Sequence, residues 1–380
     1  MPATALNHRM SFCDGHERPM AGTVNAANDY YKVVSVTTTM KQTALVSVIV
    51  PVYNDGAYLA IALESLLHQS LGDFEVVVAD DASSDGSVAL AHAFGRRDPR
   101  FRVVVNDENL GMTRNWNRAL AAAQGKYVVK LDADDAVRPE TLQRLVDAME
   151  DAHGPMVSYC RTLSCDANLE PFSSYLGERA LIRAGIEPMQ VQCRPGHDWY
   201  RLSFDDLQLW HSNAQMHRRA TLLEMGGWDE SWGCAADTDL ILRVLERNGR
   251  VCHIPYAGVL YRHRPGSVSD QYRRQTWLAW ESVLIHLDSL NRYHAAGGRL
   301  TTPLRKTWWR YFAQWGRLRA QGEDALAGLR PDLRERLLRR AHEVAAPPRR
   351  VLVEGAARQF LWNVMTATTR IGGADATGGV

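Results

Sequence analysis

Asp132-Ala133-Asp134-Asp135 places three carboxylates within four residues. Acids this close can hold Mg²⁺ or Mn²⁺ against phosphate oxygens. Without a cation they would repel a phosphorylated ligand; with one they attract it. A lone Asp-x-Asp is weak evidence, because acidic loop ends also cap helices and solubilise surfaces. Its weight comes from company: Tyr53-Asn54-Asp55, Asp80-Asp81 and Asn106-Asp107 each follow an apolar run. Further on, Asp237 and Asp239 precede the apolar stretch Leu240-Ile-Leu-Arg-Val-Leu245. Either could cap a helix there. Two other phosphate-binding devices are missing. The turn Pro51-Val52-Tyr53-Asn54-Asp55-Gly56 has one glycine where G-x-G-x-x-G needs three, and no G-x-x-x-x-G-K-[ST] occurs.

The elements that must carry these acids are readable. Leu45–Tyr53 is a short, β-branched run, as expected of a strand covered on both faces. Phe74–Ala79, Phe101–Val105 and Tyr127–Leu131 repeat it every 26 to 29 residues, with helical patterns between at Ala57–His68, Ser84–Phe94 and Thr113–Ala123. This β-α-β-α order predicts an α/β fold with a mostly parallel sheet, in which ligands bind beyond the carboxyl ends of the strands. All four acidic or amide clusters fall on that edge. A helix to about Ala152 and a strand over Met156–Arg161 should extend the sheet.

Residues 165 to 212 mix Phe172, Tyr175, Trp199, Tyr200, Trp210 and His211 without a period, which suggests an acceptor-facing loop region. Beyond Tyr272 the pattern is helical, with Trp277, Trp280, Leu284 and Leu287 on one face. Residues 1 to 43 lack either period and read as a disordered extension.

The 380 residues are 46% apolar and 23% charged with a net charge of +1, which suits a globular chain and argues against a nucleic-acid partner. The balance is uneven: from Arg299 onward there are 15 Lys/Arg against 7 Asp/Glu. The six cysteines form no C-x-x-C pair and read as reduced thiols. No stretch approaches the length of apolar residues that a membrane span needs, so a cytoplasmic location is expected.

Seven segments resemble, in order and spacing, the family 2 glycosyltransferases of GT-A fold: Val48–Asn54, Ala79–Ser87, Asn109-Leu-Gly111, Gly125-Lys-Tyr127, Leu131–Asp135, Gly226-Gly-Trp-Asp-Glu230 and Asp237-Thr-Asp239. The resemblance spans roughly residues 45 to 270. It implies a Rossmann-like sheet in a domain over 44–270, divided into a nucleotide-sugar half (44–161) and an acceptor and catalytic half (162–270), followed by a helical region over 271–380.

It further implies that Pro51, Tyr53 and Asn54 line the base and ribose pocket and that Asp81 accepts from the base imide, favouring a UDP- or dTDP-sugar. Asp132 would face the ribose and share the metal site with Asp134, the main ligand for Mn²⁺ or Mg²⁺, while Asp135 is an adjacent acceptor or alternative ligand. A basic donor contact is expected at Arg114, with Arg118 second. Where family members have a glutamate before the catalytic acid, this chain has Ala236; Asp237 is left as the base. Where many have a histidine before Pro265-Gly-Ser267, this chain has Arg264, and Arg264 or Arg262 is expected to meet phosphate.

The implied activity is inverting transfer to a saccharide or lipid-linked acceptor in surface polysaccharide assembly. A sugar-1-phosphate nucleotidyltransferase and an inactive donor-binding scaffold are the alternatives. The aromatic and basic run Thr307–Arg319 suits core packing better than a helix lying at the cytoplasmic membrane face, though peripheral contact there is the second reading.

Overall fold

The computed structural model describes residues 44–344, apart from 152–153, 173–176, 205–209, 299–300 and 321. The predicted extension over 1–43, Tyr175 and the tail beyond 344 lie outside the described residues, as does the side chain of Trp308.

The first half follows the expected alternation: β1 (Val46–Val52), α1 (Gly56–Leu67), β2 (Phe74–Asp80), α2 (Ser87–Arg97), β3 (Phe101–Val105), α3 (Met112–Ala122), β4 (Tyr127–Lys130), the short β5 (Ala136–Val137) and α4 (Thr141–Met149). Then come β6 (Val157–Cys165), α5 (Glu178–Arg183), β7 (Gln192–Pro195), α6 (Gly196–Ser203), β8 (Gln215–Arg218), α7 (Arg219–Glu224), α8 (Ala236–Glu246) and the long β9 (Arg250–Arg262). The chain continues as α9 (Val268–Arg274), α10 (Trp277–Ala295), α11 (Thr302–Arg319) and α12 (Pro331–Val344).

The strands form one sheet in the order β3-β2-β1-β4-β8-β6-β9-β5, with β7 also pairing β9. β1 to β4 run parallel, as do β6 and β9; β8 is antiparallel to both β4 and β6, and β5 and β7 are antiparallel to β9. The sheet is therefore mostly parallel, with β8 as the reversed strand joining its two halves.

Strand alternation divides the apolar residues between two cores. Val46, Val48, Val50 and Val52 face α1, α2 and α4, while Ile49, Val77, Ala79 and Val128 face α3, α8 and the helices α10 to α12. Both faces are covered, which explains why the strands read as near-continuous apolar runs. The helices beyond residue 271 share the second of these cores, and Trp280 meets Trp315 edge-on at 5.1 Å.

Three expectations change. α4 ends at Met149 rather than near 152, and β6 runs on to Cys165 because it pairs with β9 across an irregularity at Cys160–Thr162. Within 165–212, Trp199, Tyr200 and Trp210 are core residues: Trp199 Nε1 donates to the Val251 carbonyl at 3.1 Å and Trp210 Nε1 to Ser203 Oγ at 2.6 Å. Their polar handles are met internally, so aromatic mixing there marks packing as much as a loop. The cysteines are not all thiols either: Cys193 and Cys252 face each other across the β7–β9 pair and are disulfide-bonded, while Cys160, Cys165 and Cys234 are free.

Candidate active site

The strand-end acids meet where the sheet's carboxyl edge opens into a cavity of about 740 Å³. Its lining includes Pro51 near the end of β1 with Tyr53 and Asp55 after it, Asp81 after β2, Asp132 and Asp134 after β4, Asp237 at the start of α8, and Arg262 and Arg264 at the end of β9. Loop and helix residues of the C-terminal region close the other side: Tyr272, Trp277, Leu329, Arg330 and Leu333.

Asp81 is buried and already employed. Its Oδ1 accepts from Asn106 Nδ2 (2.9 Å) and Leu110 N (2.8 Å), and its Oδ2 from Gly111 N (2.9 Å). A carboxylate has about four acceptor directions, so one remains for a ligand donor. Asp132 is fastened to Lys130, a buried ammonium whose Nζ also lies 3.4 Å from Asn213 Oδ1 and 4.3 Å from the Trp116 ring centroid. Burial pushes the Asp132 carboxyl up, but the Lys130 charge and hydrogen bond outweigh it and hold the group below the ordinary carboxylate range.

Asp134 takes a 2.8 Å bond from Arg264 Nε, and the same guanidinium reaches Asp55. Burial first and the Asp132 charge second raise Asp134, with Arg264 opposing. Asp55 is lifted to about 6, by burial and then by Asp134 and Asp132 against the pull of Arg264. Asp135 points away into the protein, accepting from Arg262 N at 2.8 Å and from Asn213 Nδ2. Burial and its acidic neighbours raise it well above the usual range, so it is a buried support for the loop.

Asp237 stands at the N-terminal turn of α8, accepting from Thr238 N at 2.8 Å. Burial raises its pKa, Lys130 lowers it and Asp132 raises it further. The cavity thus holds a carboxylate of raised basicity facing a carboxylate pair across an ammonium.

Two expected donor contacts fall elsewhere. Asn54 has a left-handed backbone (φ 55°), and its side-chain oxygen accepts from Ser84 N at 2.8 Å, while Ser83 Oγ receives its own N–H. It clasps two loops rather than lining the cavity. Arg114 pairs with Glu230 at 3.1 Å on the outer side of α3. Gly111, Met112, Asn115 and Trp116 are the residues from this stretch that face inward, and helical spacing turns position 114 away from them. Of the two arginines expected near phosphate, Arg262 gives its Nε to the Asp134 carbonyl (2.6 Å) and its backbone N–H to the Asp135 carboxylate, whereas the Arg264 guanidinium meets the carboxylates of Asp55 and Asp134.

Sequence reasoning missed three residues. Lys130 had a signal, a charge inside an apolar strand run. Asn213 and Arg330 come from distant segments and had none. His211 packs on Tyr261 at 4.4 Å; burial lowers it to about 4, so it is neutral at pH 7.

Residues 47–197 match the family model for glycosyl transferase family 2. Over those residues the chain carries a family 2 glycosyltransferase domain. Among its relatives are the uncharacterized protein y4gI of Sinorhizobium fredii, 31% identical over 61% of this chain and 24% of that protein, and the succinoglycan biosynthesis protein ExoO of Rhizobium meliloti, 30% identical over 60% of this chain and 63% of that protein. The chain thus spans less than two thirds of either relative's length. Staphylococcus aureus TarS (residues 1–349) in complex with UDP-GlcNAc aligns at 21% identity with a TM-score of 0.48, covering 83% of this chain and 92% of that one. That likeness carries no residue roles over to this chain.

Proposed function

We propose that this protein transfers a sugar, with inversion, from a UDP- or dTDP-sugar to a saccharide or lipid-linked acceptor during assembly of a surface polysaccharide. The observation that carries the reading is a single cavity lined by Asp81, by the Asp132/Asp134 pair and by Asp237. One group suits a pyrimidine base, the pair suits ribose and diphosphate, and the last suits a reacting hydroxyl. The relationship to ExoO, named for succinoglycan biosynthesis, supports the polysaccharide setting.

The acids fit a divalent cation that arrives with the diphosphate. Among the described residues no group of three or more His, Cys, Asp or Glu side chains is arranged to hold a metal. Mg²⁺ and Mn²⁺ accept one or two carboxylates and complete their shells with phosphate and water oxygens. Burial raises Asp55 and Asp134 first and repulsion from the neighbouring acids adds to it; a cation would relieve the repulsion. Asp134 would hold it, with Asp132 on the ribose side, and the bound cation would stabilise charge on the departing diphosphate.

In this reading Asp81 orients the base through its remaining acceptor direction, and Tyr53, half exposed at the rim, covers it. Arg264 has two acidic partners and offers a guanidinium to phosphate when a cation draws Asp134 away. Asp237 takes the acceptor's proton as the acceptor oxygen bonds to the anomeric carbon, and the bond from that carbon to the diphosphate oxygen breaks on the opposite face. Burial keeps Asp237 more basic than an exposed aspartate, which favours proton transfer.

A panel of nucleotide sugars with Mn²⁺ tests the reading. Released UDP or dTDP identifies a glycosyltransferase, pyrophosphate a nucleotidyltransferase, and binding without turnover an inactive scaffold. Peripheral membrane contact through the C-terminal helices is a lesser part of the proposal. Among the described residues no helix is long and apolar enough to cross a membrane. Flotation with anionic liposomes checks it, and unbound protein would remove that part.

A further inference from the structure

α10 places a carboxylate beneath the loop that carries Asp237. Glu281 is fully buried, and its two oxygens accept from Gly233 N at 2.6 Å and Ala235 N at 2.9 Å. These amides belong to the turn leading into α8, where helix geometry leaves backbone donors without partners and the helix dipole favours negative charge. A residue more than 40 positions away thus caps this helix.

The fit is close. A Cβ on Gly233 would come within 2.4 Å of Tyr272 Oη and 2.7 Å of Glu281 Oε1, so any side chain here would push the carboxylate or the phenol out of place. On the other side of the same turn, Thr113 Oγ1 of α3 donates to the Trp232 carbonyl at 2.8 Å. Further along, α10 holds α8 a second time: Ser289 Oγ bonds Glu246, and Arg292 bonds Asp239 at 3.3 Å and Glu246 at 3.1 Å. Those contacts also dock the two helices. A buried carboxylate at the upper end is therefore expensive for stability alone, and burial lifts its pKa to about 7 despite its amide partners. The polar link at this end fixes the turn that aims Asp237.

We infer that Glu281 is a positioning residue for the transfer step, holding the Gly233–Ala235 turn so that Asp237 faces the acceptor hydroxyl. This rests on the reading of Asp237 as the base.

The full chain is compared with Glu281→Gln, Glu281→Asp, Asp237→Asn and Ser289→Ala, measuring kcat, donor KM, UDP affinity and melting temperature. Glutamine puts an N–H donor where an acceptor is needed, and aspartate is too short to reach both amides. For both Glu281 variants the expected result is a ten- to hundredfold fall in kcat with donor KM and UDP affinity within about twofold. Ser289→Ala, which loosens α8 from α10 without touching the turn, should lower the melting temperature and keep kcat. Wild-type kcat in either Glu281 variant, or a loss no greater than in Ser289→Ala at equal melting temperature, overturns the inference.

Amide exchange in the unmodified chain gives a readout that survives if the variants do not fold. Slow exchange at Gly233 and Ala235 supports the hold, and exchange as fast as at exposed loops overturns it. An active Asp237→Asn removes the base assignment instead, which the exchange pattern keeps separate from Glu281's grip on the turn.

Discussion

Asp132 and Asp134 are two residues apart and are neutralised from opposite sides, one by Lys130 and the other by Arg264. That asymmetry separates their expected phenotypes. Asp134→Ala should abolish the metal-dependent part of UDP binding, seen as equal affinities with and without Mn²⁺ in titration calorimetry. Lys130→Met should leave Asp132 without its ammonium and weaken UDP binding about ten- to hundredfold, the range for losing one charge-assisted contact; unchanged affinity would mean that Lys130 only packs. Asp237→Asn should bind UDP normally and lose two or more orders of magnitude in transfer. At this scale the acidic lining of the cavity could be read from residue types, because the acids recur after successive strands on one edge of the sheet. Arg114 and Asn54 could not be placed, since helical phase and loop conformation decide which way a side chain points. Glu281 was invisible because its partners are backbone amides, which have no residue signature.

Elements decide how firmly these groups are held. Gly125 enters β4 against β1, and a Cβ there would lie 2.6 Å from Ser47 N. Gly125→Ala should therefore cost about 1 to 3 kcal/mol, checked by urea unfolding. On α10, Trp280 is buried against Trp315, and Trp280→Ala should cost about 3 to 5 kcal/mol in the same assay. The four parallel strands and their helices were legible from period alone. The stretch 165–212 was not, because its elements are as short as four to eight residues and its core is built from tryptophans whose N–H groups must find partners. The antiparallel β8, only four residues long, gave no alternation to read.

For the molecule as a whole, pH should act on stability through its buried acids. The folded pKa of Glu281, about 7, lies above its ordinary value. The stability permitted by its neutral form is therefore full below pH 4.5 and lost as pH rises through 7, a loss on the order of 3 kcal/mol for this shift. Urea unfolding at pH 5 and pH 8 should show a larger drop in the unmodified chain than in Glu281→Gln. An equal drop would show that other groups set the slope.

The cavity wall formed by Tyr272, Trp277, Leu329, Arg330 and Leu333 has a different kind of consequence. These positions lie outside the sheet, so changing them reshapes one side of the chamber while the strand-end acids stay in register. Sequence drift in the C-terminal helices therefore has a cheap outlet: it can recontour one side of the chamber while the acids on the sheet edge keep their places.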